Sequence, residues 1–300
     1  MSLPTSLAPI VLFCFNRPAH LAQTIESLQQ NMLARESDLI IYSDGPRNPS
    51  DEPFISQVRD YLAQIEGFKT ITVIKSEKNN GLAASIINGV SEVLSNFQKV
   101  IVLEDDMLSA PDFLVFMNEA LSVFEHRNDI FSVSAYGPPI SFPVGYQDDL
   151  YLAPRASSWG WGTWLNTWEK ADWNVTAFPE LKKDKIKRGQ FILGGEDLWP
   201  MLVKQQKKVI DSWAIRWTFS QFINNAYGVY PVHSKIRNIG TDGSGTNFTF
   251  KTGYYGSEMS ESEIRIDPNI KPDQEVIQAF ADYYKLPLAL KIKNRIKYGV

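Results

Sequence analysis

The chain has 300 residues, 44% hydrophobic and 21% charged, and a formal net charge of −4. That balance suits a globular protein with a substantial core, and without internal repeats or low-complexity segments it excludes solenoid and disordered classes. So small a charge excludes a global field towards nucleic acid, and any recognition by charge is local.

The first 135 residues alternate short β-branched runs with amphipathic stretches, the pattern of βαβ units around a parallel sheet. Strands are predicted near Pro9 to Phe15, Asp38 to Ser43, Lys69 to Lys75, Lys99 to Leu103 and Ile130 to Ser134. Helices fall between them near Pro18 to Gln30, Pro53 to Ile65, Gly81 to Phe97 and Pro111 to Glu125. In the third helix Leu82, Ile86, Val90, Val93 and Phe97 make one apolar stripe suited to covering a sheet. The lone cysteine, Cys14, lies inside the first strand and reads as a buried thiol in a reducing compartment.

From Tyr136 the strict alternation stops and aromatic residues, glycine and proline rise. Six of the eight tryptophans fall between Trp159 and Trp199. Tryptophan serves core packing and sugar stacking alike, and packing is the commoner use. Lys182 to Arg188 reads as a solvated basic run. Gly240 to Thr246 is glycine-rich, either a loop that closes over a ligand or a plain surface loop. Lys285 to Tyr298 mixes leucine and isoleucine with lysine and arginine, a pattern that suits the surface of an anionic bilayer or a solvated terminal helix. Neither a secretory signal nor an apolar run of about 18 residues occurs, so a soluble cytoplasmic protein is expected. Asn174 and Asn247 match glycosylation acceptors, without consequence there.

In open α/β sheets ligands bind beyond the carboxyl ends of the strands. Those positions here hold Asn16-Arg17-Pro18, Asp44-Gly45-Pro46-Arg47, Lys78-Asn79-Asn80-Gly81 and Glu104-Asp105-Asp106. No G-x-G-x-x-G follows the first strand and no phosphate-binding P-loop occurs, so hydride transfer and P-loop chemistry lose support. Three adjacent carboxylates would repel one another and a diphosphate unless a divalent cation, Mn²⁺ or Mg²⁺, lay between them. The plainer reading, a helix cap, is redundant, because Ser109, Pro111 and Asp112 already supply start signals for the next helix. His20, His126 and His233 lack ligand spacing, and no G-x-S-x-G elbow occurs.

Together, strand-Asn16-Arg17-Pro18, Ser43-Asp44-Gly45, Asn80-Gly81-Leu82 and Val102-Leu103-Glu104-Asp105-Asp106 resemble the GT-A glycosyltransferases. Glu-Asp-Asp followed by Ala110-Pro111-Asp112-Phe113 is similar to the N-acetylglucosaminyltransferase that initiates complex N-glycans and to related bacterial family 2 transferases. The resemblance implies an α/β fold with a mixed, mainly parallel sheet flanked by helices in a single catalytic domain. It implies that Arg17 and Asp44 contact the nucleotide base, that Glu104 and Asp105 face the donor's sugar and ribose, and that Asp106 is the metal ligand. Asn80 either touches the donor or caps the third helix.

If the reaction inverts the sugar carbon, the second half must supply a general base for the acceptor hydroxyl. Asp211, in Asp211-Ser212-Trp213, resembles the base-bearing Asp-Trp segment of the N-acetylglucosaminyltransferase, and Asp197, in Glu196-Asp197, resembles the pair used by family 2 enzymes. Asp211 is the first choice and Asp197 the second. The aromatic-glycine run Trp159 to Trp164 resembles the segment lining the donor-sugar site, which makes Trp161 a binding residue. Arg155, Arg216, His233, Ser234, Lys235 and Arg237 are candidates for touching phosphate.

The expectation is a nucleotide-sugar-binding half over 1–135, an acceptor-binding and catalytic half over 136–265, and a helical tail over 266–300. Such an enzyme would move a sugar, with inversion, from a UDP-linked donor to a saccharide or lipid-linked acceptor. The setting implied is bacterial surface polysaccharide synthesis, with peripheral contact at the inner face of the cell membrane through the tail. The rivals are a sugar-nucleotide-forming nucleotidyltransferase, against which the lack of a glycine-rich basic loop after the first strand counts, and a non-catalytic carbohydrate-binding protein.

Overall fold

In the computed structural model, residues 6–242 and 258–300 are described. Gly243 to Thr246 of the glycine-rich run, and the acceptor pattern at Asn247, lie outside them. The first strand is β1, Ile10–Cys14, paired in parallel with β2, Asp38–Ser43, on one side and β4, Lys99–Glu104, on the other. Strand β3, Thr70–Lys75, adds in parallel outside β2. Helices α1, Pro18–Gln29, α2, Glu52–Leu62, and α3, Leu82–Phe97, make the crossovers between them.

Successive residues of a strand point to opposite faces, and the two cores divide accordingly. Ile10, Leu12, Ile101 and Leu103 join the cluster with Leu21, Ile25 and Leu28 of α1 and Val58 of α2. Val11, Phe13, Val100 and Val102 join the other cluster, with Ile86, Val90 and Val93 of α3. Helix α1 begins on Pro18, whose fixed φ suits the first helical turn. The predicted stripe of α3 is buried at its centre, while Leu82 and Phe97 at its ends are exposed.

After β4 the short strand β5, Met107–Ser109, intervenes before α4, Phe113–Val123. The triplet Glu104-Asp105-Asp106 therefore does not cap α4. Asp112, at the N-cap position, makes no side-chain cap bond either; its carboxylate accepts from buried Lys235 instead.

The aromatic-rich second half returns to the same sheet. The first half closes on β6, Ile130–Ser134, and the second adds β7, Leu150–Ala153, β8, Trp161–Trp164, and β9, Tyr227–Pro231. The order across the eight strands is β3-β2-β1-β4-β8-β6-β9-β7. Only β8 and β7 run against the rest, which gives the mixed, mainly parallel sheet expected. Strand β8, inserted between β4 and β6, ties the two halves of the sequence into one sheet.

The second half also contributes short helices α5, Leu165–Trp168, α6, Phe178–Lys183, and α7, Lys185–Phe191, then α8, Leu198–Gln206, and α9, Trp213–Ile223. Beyond β9, β10, Ile236–Asn238, pairs antiparallel with β5. Helices α10, Gln274–Tyr283, and α11, Leu288–Tyr298, end the chain. Among the described residues no helix is long and apolar enough to cross a membrane.

Candidate active site

The carboxyl ends of β1, β2 and β4 open into a cleft of about 880 Å³. On its far wall lie the segment 155–159 after β7, helix α8, and the stretch from Ile210 into α9. Parallel register sets the near wall: Cys14 lies beside Ser43 and Phe13 beside Glu104, so the residues just past each strand meet at one edge.

Asp44 lies on that wall, nearly buried. Its carboxylate accepts from the backbone N–H of Gly45 (2.9 Å), Asn80 (2.9 Å) and Gly81 (3.1 Å) and from Asn79 Nδ2 (3.0 Å). The carboxylate thus knits two strand-end loops together. Gly45 is required for their approach, because a β-carbon there would lie 2.6 Å from the carbonyl carbon of Lys78. Asn80 does not line the cleft: its side chain turns outward and donates to Ser76 Oγ at 3.0 Å. Its neighbour Asn79 lines the cleft instead. Arg47 lies over the Phe15 ring at 4.6 Å and pairs with Asp51, extending the same wall.

The acidic triplet occupies the floor. Arg17 donates to Asp105, and its Nη1 lies 2.9 Å from Asp106 Oδ2. Burial opposes the charge of Arg17, but Asp105 and Asp106 outweigh it and hold the guanidinium above its ordinary pKa. The Glu104 side chain makes no hydrogen bond among the described residues. Burial, and then Asp106 and Asp105, push it up to about 8. Asp105 is pushed up to about 6 by burial, with Arg17 opposing and Asp106 adding to the rise. One arginine therefore offsets only part of the crowding.

Asp106 is covered from the far side by the end of β10. Ile239 N–H donates to its backbone oxygen at 2.8 Å, and Asn238 Nδ2 lies 3.4 Å from Oδ1. Asp242, just after, lies 3.2 Å from His20 Nε2. Among the described residues, no group of three or more His, Cys, Asp or Glu is gathered around a common point as a metal cage. Cys14, below the floor, has its thiol pushed up by burial, consistent with an inert core residue.

The two carboxylates proposed as base differ in their surroundings. Asp197 accepts from both terminal nitrogens of Arg155, at 2.8 and 2.9 Å, and this guanidinium lies over the ring of Tyr284 at 4.1 Å. Asp211 is 72% exposed at the cleft margin and accepts from Arg216 through one oxygen at 2.8 Å. It does not cap α9; Ser212 does, accepting from Ile215 N–H at 3.3 Å.

Trp161 does not reach the cleft. It is 1% exposed and stacks on Trp213 at 5.0 Å and Trp168 at 5.8 Å, with Trp217 at 6.3 Å. The reason is its place on β8, enclosed between two strands and beneath α9. Trp159, two residues earlier, lines the cleft and meets Tyr136 edge to face at 4.6 Å. Of the residues suggested for phosphate, Lys235 is fully buried and donates to Asp112 and to the carbonyls of Ser260 and Ser262. Ser234 is buried, and His233 and Arg237 are exposed outside the cleft; only Arg155 lines it. Tyr284, from beyond α10, was not foreseen, since no local pattern ties it to a site some 130 residues earlier.

A parallel α/β sheet whose strand ends carry paired loops, an acidic floor and an aromatic far wall defines a ligand-transforming cleft of the nucleotide-binding kind. The sequence model of glycosyl transferase family 2 matches residues 10–177, over half of the chain. The chain belongs to glycosyl transferase family 2, and it is a glycosyltransferase of the GT-A fold. No curated protein matches it. Among solved structures it is similar to the mannosyltransferase PcManGT from Pyrobaculum calidifontis, in complex with GDP-Man and Mn²⁺, at 12% identity and a TM-score of 0.32. That likeness covers 46% of this chain and only 40% of the mannosyltransferase. An active-site mutant of LgtC is 13% identical with a TM-score of 0.40, and the galactosyltransferase LgtC with donor and acceptor sugar analogs is 11% identical with a TM-score of 0.37; each likeness covers 71% of this chain and 70% of that one.

Proposed function

We propose that the chain transfers a sugar from a UDP-linked donor to a hydroxyl of a saccharide or lipid-linked saccharide, with inversion and with the help of Mn²⁺ or Mg²⁺. The observation that carries this reading is the electrostatics of the cleft. Six carboxyl groups, Asp44, Glu104, Asp105, Asp106, Asp197 and Asp211, line it against Arg17, Arg47, Arg155 and Lys204, and acid outweighs base even with Glu104 protonated. The three arginines are already committed to carboxylates, and the Lys204 ammonium lies over the ring of Tyr298. A diphosphate entering alone would meet net repulsion.

The residues suit a divalent cation held by few protein ligands. Hard oxygen donors suit Mn²⁺ or Mg²⁺, and the absence of a three-residue cage among the described residues suits an ion that completes its shell with phosphate oxygens. Asp106 would hold it, at the carboxylate against which Gly240 leaves no β-carbon. Such an ion would stabilise charge on the departing diphosphate. Arg17 would then exchange its contact with Asp106 for one with the nucleotide. Asp44 would support the base pocket through the loops it organises, and Glu104 and Asp105 would face the sugar and ribose.

Asp211 is the better candidate for general base. Among the described residues one of its oxygens is uncommitted and exposed, whereas both oxygens of Asp197 are held by Arg155. Asp211 would take the proton of the acceptor hydroxyl as its oxygen bonds to the anomeric carbon and the bond to the diphosphate breaks. Asp197 with Arg155 would shape the acceptor wall, and Trp159 would offer a ring to the sugar. The cellular setting in this reading is bacterial surface polysaccharide assembly at the cytoplasmic face of the membrane, which the basic α11 supports.

A thermal-shift screen of sugar nucleotides with and without Mn²⁺ tests the reading, because a ligand that binds only the folded state raises the melting temperature. A UDP-sugar should stabilise the wild type in a manganese-dependent manner and should leave Asp106→Ala unmoved. Equal stabilisation of both proteins, or none by any nucleotide, would overturn it.

A further inference from the structure

Helix α11 carries three of its large apolar residues on the side turned away from the body. Leu288, Ile292 and Ile296, at i, i+4 and i+8, are 72%, 51% and 82% exposed, while Asn294 is the buried residue of the helix. At 100° per residue, Asn294 lies about 200° from the centre of that stripe, so the stripe points away from the body. Arg295 and Lys293 lie about 60° and about 100° to either side of its centre and Lys297 further round, all exposed, and the helix contains no acidic residue.

The helix is nevertheless fixed in place. Lys291 pairs with Glu196 at 2.7 Å, Leu286 N–H donates to the same carboxylate at 3.0 Å, and Lys207 Nζ donates to the Tyr298 carbonyl at 2.8 Å. The Lys204 ammonium lies 5.0 Å from the centre of the Tyr298 ring. Lys204 also lines the cleft, as does Asp197 beside Glu196. The exposed stripe is thus mounted one helix away from the wall assigned to the acceptor.

We propose that α11 is a docking face for an anionic lipid bilayer, and that it turns the acceptor side of the cleft towards the membrane so that the acceptor is lipid-linked. An apolar stripe flanked by cations matches the boundary between acyl chains and anionic headgroups. Eleven residues, about 16 Å of helix, lie on a bilayer and do not cross it. A second copy of the chain would bring like charges together along the stripe, which disfavours a dimer there. The acceptor part of the proposal rests on the function proposed above; the docking part does not.

Flotation of the full chain with phosphatidylcholine vesicles, and with vesicles containing phosphatidylglycerol, tests it. The wild type should float with the anionic vesicles only, and less at high salt. The triple variants Leu288→Ser/Ile292→Ser/Ile296→Ser and Lys293→Gln/Arg295→Gln/Lys297→Gln should each lose at least about tenfold in partitioning. Both should keep wild-type transfer to a water-soluble acceptor, which shows them folded. Wild type that stays unbound, or binds both vesicles equally, overturns the docking face. So does a dimer in sedimentation velocity that the serine variant dissolves. Vesicle binding without transfer from any UDP-sugar would leave docking standing and sink the proposed reaction; transfer without vesicle binding would do the reverse.

Discussion

Gly240 rests against Asp106 so closely that a β-carbon on the glycine would lie 2.0 Å from Asp106 Oδ2 and 2.9 Å from Arg17 Nη1. The end of β10 therefore closes over the carboxylate assigned to the cation. Gly240→Ala must displace either the segment or the carboxylate. It should cost about 1–3 kcal/mol of stability by overpacking and weaken manganese-dependent UDP binding by about tenfold or more, measured by denaturant melts and calorimetry.

The two candidate bases should separate cleanly. Asp211→Asn keeps the side-chain volume and removes the proton acceptor, so transfer should fall by about 10²–10⁴ while the affinity for UDP stays as in the wild type. Asp197→Asn leaves the largely buried Arg155 guanidinium without its counter-ion. A stability loss of about 3–5 kcal/mol is expected there, visible in the urea midpoint.

Trp161 belongs to the core, so Trp161→Ala should lower stability by about 3–5 kcal/mol and leave the donor KM of the folded protein unchanged. Trp159→Ala should raise the KM for donor or acceptor with little change in melting temperature. Paired steady-state kinetics and thermal melts distinguish the two tryptophans.

Glu104 and Asp105 have folded pKa values above those of free carboxyls, near 8 and 6. Between the ordinary carboxyl range and those values the folded state binds more protons than the unfolded one, so stability falls as pH rises. Without divalent cation, the melting temperature should rise as pH drops from 8.5 to about 6. Manganese with UDP should flatten that slope, and their binding should release protons, seen as a buffer-dependent enthalpy in calorimetry.

Much of this was legible in the sequence where one period governs. Five of the six strands and the four α-helices of the first 135 residues follow from the alternation of apolar runs with amphipathic stretches and from Pro18, Gly81 and their like, only the three-residue β5 escaping it, and the strand-end positions Arg17, Asp44 and Glu104 to Asp106 all reach the cleft. The aromatic half was less legible, because β7 and β8 are four-residue strands, β8 and β9 contain glycine, and no regular strand-helix alternation frames them. Trp159 and Trp161 stand at the same parity of one run, so nothing local says which ring is enclosed by β8. Asn79 and Asn80 differ only in which way a loop turns, and that is set by the carboxylate of Asp44 one strand away. Lys235 sits in a polar stretch of sequence that suggests phosphate, but its partners Asp112, Ser260 and Ser262 come from distant parts of the chain and bury it.

The most direct measurement is a calorimetric titration of UDP into the wild type and Asp106→Asn, each with manganese and again with chelator. The account predicts binding in one case of the four, the wild type with manganese. Equal affinity in chelator, or in the Asn variant, would show that the diphosphate is held without a cation on Asp106 and would contradict it.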